Sequence, residues 1–288
     1  LASDAISAGE TGPARLIGRN ARTTPTFAAM INGAASHALD YDDVNKRLHG
    51  HPTVPVVPAL LAIAEQNGAS GKSVLEAFIV GYEVECLIGE MMGLAHYDHG
   101  WHATATVGTF GAAAGAARLL GLNADQASMA LGIAGTQAAG LKSMFGTMCK
   151  PLHAGKAAMN GLMAARWAKQ GFTSCKDVLE CAQGFGPTQS TEFRALPIRP
   201  DELRPFAVEE NLFKYHAACY LIHSSIEAVN ALKAEHNFKA EDVAYVRARV
   251  DSQHRKVCDI VEPTTGLEIK FSLRHCLAMA LSSLDTGD

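Results

Sequence analysis

Aromatic side chains make up only 7% of the 288 residues, and there are two tryptophans. Charge is sparse as well, at 19% of residues with a net charge of -4, and no long run carries one sign. A nucleic-acid binder usually shows a basic stripe, so that class of partner is excluded. No apolar stretch reaches the roughly 18–20 uninterrupted residues of a membrane span, and no signal-peptide pattern of charged, apolar and cleavage regions occurs. These absences point to a soluble, cytoplasmic protein. The seven cysteines form an odd set with no C-x-x-C spacing, as reduced thiols in such a compartment would.

Chemical motifs are missing too. G-x-S-x-G is absent, as are the G-x-x-x-x-G-K-[ST] phosphate loop and a G-x-G-x-x-G following a strand pattern, which removes the support for a nucleophile elbow or nucleotide binding. H-E-x-x-H does not occur, and the irregular cysteine spacing offers no iron–sulfur cluster motif. No metal and no cofactor are therefore expected.

What the chain has instead is small residues. It contains 48 alanines and 26 glycines, a composition that lets helices approach closely. Thr24-Pro25 opens a helix expected to run to about Asp40, and Pro55 and Pro58 fit the first turn of another that stops at Gly68. Ser70 caps a helix over about 73–92, His102 precedes one ending at Gly121, and Asn123 with Gln126 forms a capping box for one lasting to about Ala139. Pro151 opens a helix to Gln170. Polar loops are expected over 41–53 and 95–101, and residues 184–210, rich in Gly, Pro and charge, read as a linker. A helix over 219–236 follows, then a half-buried strand over 243–250 (VAYVRARV), then a helical run from Leu267. The fold class is mainly α: a large all-α domain over residues 1–190, and a smaller α+β domain that starts at 191.

Six of the twelve histidines fall between His37 and His102, grouped in LHGHP and HYDHGWH. Of these, His51 and His102, together with Asp40, Asp42, Asp43, Lys150, His153 and Lys214, form a set of acids, bases and cations. Such a set suits proton transfer next to a carboxylate, because the charge that develops on the carboxyl oxygens needs lysines or imidazoliums around it and histidine titrates near neutral pH.

Five segments in order resemble the MmgE/PrpD family: NGAASHALDYDD with the HP that follows, WHATATVGTFGAAAGAARLLGL, KPLHAG, FKYHAACYLIH and EPTTGLEIKFS. The family's activities include dehydration of 2-methylcitrate, decarboxylation of cis-aconitate and epimerisation of iminodisuccinate. The resemblance implies a helical domain with an α+β lid, a site between them, a homodimer, and a small carboxylic-acid substrate handled without metal or organic cofactor. Carried over motif by motif, it marks Asp40, His51, His102, Lys150, His153 and Lys214 as catalytic, with Lys150, Lys214 and His275 contacting substrate. Two positions depart from the pattern: Val44 stands where the decarboxylase has threonine, and His275 where many relatives have tyrosine. The resemblance further implies chain before the first segment and after the last, so both domains are expected to be incomplete here. The leading expectation is a 2-methylcitrate dehydratase-like lyase, with an epimerase, a decarboxylase or a non-catalytic carboxylate binder as alternatives.

Overall fold

The computed structural model describes residues 9–197 and 205–286. Within them the chain divides into two compact units. Unit 1 takes the chain up to His37, Asp43–Leu141 and Pro151–Leu212, and unit 2 takes Ala38–Asp42, Lys142–Lys150 and the chain from Phe213 onward. A single cut near residue 190 does not describe this division, because two short excursions from the helical region belong to unit 2.

Unit 1 opens with a two-stranded antiparallel pair, β1 (Ala14–Arg15) and β2 (Arg22–Thr23). Helices follow: α1 (Pro25–Ser36), α2 (Thr53–Asn67), α3 (Gly71–Asp98), α4 (Ala103–Leu119), α5 (Ala124–Gly135), α6 (Cys149–Lys169) and the short α7 (Phe185–Gln189). Their starts obey local chemistry. The Thr24 hydroxyl accepts from the Phe27 amide, Ser70 accepts from Ser73, and Asn123 and Gln126 exchange hydrogen bonds at 2.9 and 3.1 Å. Each bond satisfies an amide that the helix itself leaves without a partner.

Alanine and glycine do their work at α4, where every residue from Ala103 to Ala117 is buried. Side chains this small let neighbouring backbones come into contact. At the α1–α6 crossing a Cβ placed on Gly33 would lie 2.8 Å from the Cα of Gly155, so no larger residue fits without moving a helix. Close approach of this kind gains dispersion along whole helix faces and replaces the bulky aromatics that the sequence lacks.

Unit 2 contains α8 (Tyr220–His236), α9 (Ser252–Val257), α10 (Gly266–Ile269) and α11 (Leu273–Leu281). The Lys233 ammonium of α8 donates to the carbonyls of Ala280 and Leu281 at 2.9 and 2.7 Å, satisfying the C-terminal end of α11. Ile222, Ile226, Phe271 and Leu277 are buried in this unit.

The mainly-α class is what the structure shows, but several local expectations are corrected. α1 stops at Ser36, four residues early, because Asp40 adopts φ +52°, which a helix cannot accommodate. Residues 94–98 are helical beyond a break at Gly93 (φ +64°), where a loop was expected. Val243–Val250 is in no strand, and Val246 is 48% exposed. Alternation alone does not make a strand, and no ladder partner lies beside it among the described residues. The stretch expected as a linker contributes buried Phe185, Gly186 and Ala207 to unit 1, while 198–204 fall outside the described residues.

Glu85 on α3 is completely buried, and neither carboxyl oxygen has a hydrogen-bond partner among the described residues. It lies against the glycine face of α4, where a Cβ on Gly111 would meet its carboxyl carbon at 2.8 Å. Burial, reinforced by Asp43, raises its pKa well above 4.5. The folded state therefore binds a proton that the unfolded state releases, so stability is intact below pH 4.5 and falls as pH rises toward the folded pKa. Glu85→Gln should flatten this slope, gaining on the parent by about 1.4 kcal/mol per pH unit over that window. Denaturant midpoints from pH 4.5 to 8 test this, and parallel curves for the two proteins would contradict it.

Candidate active site

The sequence-marked residues gather into two clusters, one in each unit. In unit 2 the anchor is Asp40, 2% exposed, with its backbone in the left-handed region. Its Oδ1 accepts from Lys150 Nζ at 2.6 Å and lies 3.1 Å from Lys214 Nζ. Lys214 also donates to the Asp40 carbonyl at 2.6 Å and to the Ala218 carbonyl at 2.9 Å. Three protein oxygens thus lie within 3.1 Å of its ammonium group, two of them as hydrogen-bond acceptors. Lys150 sits 5.8 and 5.5 Å from the ring centres of Phe145 and Phe271, a cation–π setting that suits a buried charge.

KPLHAG forms the opening turns of α6, which starts at Cys149, two residues before the expected start at Pro151, so both Lys150 and His153 are helical residues. His275 opens α11, where its amide donates to Ser272 Oγ at 3.3 Å. It is half-buried, and its ring has no hydrogen-bond partner among the described residues.

Unit 1 holds a row of four imidazoles. His102 is the N-cap of α4, fixed by its amide donating to the Gly140 carbonyl at 3.0 Å. Its Nδ1 faces Nδ1 of His153 at 3.1 Å. His37 stacks on His102 with centroids 5.8 Å apart and planes at 19°, and its other side meets His51 edge-on at 4.6 Å. His51 is positioned by its amide, which donates to Thr104 Oγ1 at 3.0 Å. His37, His51 and His102 are buried and His153 is half-buried.

The contact between the two Nδ1 atoms has a chemical consequence. Two ring nitrogens within hydrogen-bond distance need one proton between them, so one ring donates and the other accepts. When both rings are neutral, the donor has a bare Nε2, which is a base, and the acceptor carries its proton on Nε2, which is an acid. One pair thus presents both functions.

Not every histidine of HYDHGWH belongs to this row. His96 faces the Gln189 carbonyl through Nδ1 at 3.0 Å and Thr106 Oγ1 through Nε2 at 2.7 Å, and it stacks on Trp101. Burial pulls its pKa down to about 4, so it is a neutral structural link between α3 and α4. The sequence reading also passed over Cys175, Asp177 and Cys181 of unit 1, whose ligand atoms lie within 4.8 Å of one another. Two thiols and a carboxylate could hold a soft divalent ion, although the Cys175 thiol here donates to Asp177 at 2.9 Å.

The MmgE/PrpD N-terminal domain model matches residues 2–195, and the C-terminal domain model matches residues 216–285. The chain belongs to the MmgE/PrpD family. A cis-aconitate decarboxylase of Aspergillus terreus is 30% identical over 295 residues, covering 94% of this chain and 60% of its own. The cis-aconitate decarboxylase-like protein oryM of Aspergillus oryzae is 33% identical over 77% of this chain and 49% of its own. Cis-aconitate decarboxylase of Homo sapiens is 38% identical over 57% and 35%. These relatives of the MmgE/PrpD chain are lyases, and it spans about 60% of the first one's length.

If the two clusters carry the chemistry, His102→Gln and Lys214→Ala should each cut turnover by at least about a hundredfold, the scale for losing an acid–base or charge-stabilising group. Steady-state rates of folded variants check this, and a near-parental rate in either would remove that residue from the site.

Proposed function

We propose that the protein is a cofactor-independent lyase acting on a small di- or tricarboxylic acid by proton transfer alpha to a carboxylate, and that it dehydrates a 2-methylcitrate-like hydroxy acid. The observation that carries this proposal is the His102–His153 pair. Its bare Nε2 accepts the alpha proton, and the protonated Nε2 of the partner ring supplies the proton that leaves with the hydroxyl group as water. A carbon–carbon double bond forms and no electrons enter or leave the substrate, so the step needs neither oxidant nor reductant. On the family resemblance the working protein is a homodimer, and on the reading of its cysteines as reduced thiols it is cytoplasmic.

Loss of carbon dioxide from cis-aconitate is the second reading, favoured by what the three relatives are called. Val44 counts against it. This side chain is 9% exposed, its backbone is held by paired hydrogen bonds with Leu212 of 2.9 Å each, and it offers no hydroxyl.

Incubation of the protein with 2-methylcitrate, citrate, cis-aconitate and iminodisuccinate in heavy water, followed by NMR, separates these outcomes. The proposal predicts loss of water from a hydroxy acid. Release of carbon dioxide would establish the decarboxylase instead, exchange of deuterium without elimination an epimerase, and no reaction with any acid would overturn the lyase reading.

A further inference from the structure

Lys214, expected to contact substrate, is already surrounded by protein oxygens. It donates to the carbonyls of Asp40 and Ala218 and lies 3.1 Å from the Asp40 carboxylate. Lys270, in the EIKFS stretch, is 8% exposed, and its Nζ donates to one neutral acceptor among the described residues, the Ala217 carbonyl at 3.0 Å. That carbonyl is next in sequence to the one that takes Lys214. An ammonium group has three donors, and a buried one with a single neutral partner is costly unless an anion completes it. Among the described residues of this unit the buried carboxylate is Asp40, and it is engaged with Lys150 and Lys214. Burial is the main influence lowering the Lys270 pKa, with Asp40 opposing it and Lys214 adding to it.

Beside Lys270 is a cavity of about 440 Å³ that lies wholly within unit 2. Ala38, Leu39, Ala218, Leu267, Ile269 and Met279 are in its wall, together with Lys270. A single cation in an apolar wall matches one carboxylate on an alkyl-bearing skeleton. A second carboxylate there would be desolvated without a partner.

We propose that Lys270 receives a carboxylate of the ligand and that the adjoining cavity receives the alkyl part of the same molecule. Lys214 is then a positioning residue that fixes the Asp40 backbone. The inference deepens the lyase reading and rests on it for the identity of the reaction, but the binding site can be tested without turnover.

Butyrate is the probe, with acetate as the shorter control, and binding is measured by calorimetry or ligand-observed NMR. The parent should bind butyrate more tightly than acetate. Lys270→Met, which keeps an apolar side chain of similar length, should weaken butyrate at least tenfold, and Lys270→Arg should restore much of it. Leu39→Trp, at a wall position 53% exposed, should narrow the cavity and erase the preference for butyrate while leaving the charge in place, so the test survives if Lys270→Met fails to fold. Equal butyrate affinity in parent and Lys270→Met, or no butyrate binding by the parent, would overturn the site. Butyrate bound through Lys270 in a protein that turns over no acid would leave this site standing and remove the lyase reading.

Discussion

A buried carboxylate shared by two lysines sets the terms for unit 2. Asp40 is held at both its side chain and its carbonyl, since Lys150 and Lys214 meet the carboxylate and Lys214 also takes the backbone oxygen. Its left-handed backbone costs on the order of 1–3 kcal/mol for a residue other than glycine, although aspartate tolerates that region better than most. The cost is compensated by charge: losing Asp40 would strand two ammonium groups in a site where only 2–7% of these residues is exposed. Asp40 holds Lys150 and Lys214 close to itself, whereas Lys270, a further buried cation of this unit, donates to a neutral carbonyl.

Unit 1 reaches its function by a different physical route. Its helices pack backbone to backbone through alanine and glycine, and that rigid frame carries rings at fixed positions: His102 at the start of α4, His153 on α6, and His37 just past the end of α1. Rigidity matters because an acid–base pair that shares one proton works only if the two nitrogens keep their separation. His96 and Glu85 show the same frame enforcing neutrality. One is an imidazole too buried to protonate near pH 7, the other a carboxyl too buried to ionise readily.

Much of this was legible in the sequence where local rules decide. Thr24-Pro25, Ser70 and the Asn123–Gln126 box fix helix starts by satisfying amides, and such bonds depend on three or four adjacent residues. Gly68 stops a helix for the same local reason. The end of α1 was not legible, because SHALD continues an apolar pattern while the charge clamp on Asp40, made by residues more than a hundred positions away, forces the backbone out of the helix. VAYVRARV shows the converse, since its alternation is correct for a strand but strands need a partner that no local pattern supplies.

The candidate site divides along the same line. Residue types and order pointed to Asp40, His51, His102, Lys150, His153 and Lys214, and the structure brings the histidines into one row and the charges into one clamp. That Lys270 is buried against a neutral carbonyl could not be read from order, only from its surroundings in three dimensions. A signal was nonetheless present: Lys270 stands between Ile269 and Phe271, and a lone cation between large apolar residues marks a charge that is drawn inward.

The central claim is that Asp40 and Lys150 form a coupled buried pair on which unit 2 depends. A double-mutant cycle with Asp40→Asn, Lys150→Met and the double variant, read by denaturant unfolding, measures that coupling directly. Asp40→Asn should destabilise by about 3–5 kcal/mol because it leaves two ammonium groups buried without their anion, Lys150→Met should cost less because Lys214 still pairs with Asp40, and the double variant should lose less than the sum by at least about 1 kcal/mol. Additivity within about 0.5 kcal/mol, the behaviour of independent sites, would contradict the account.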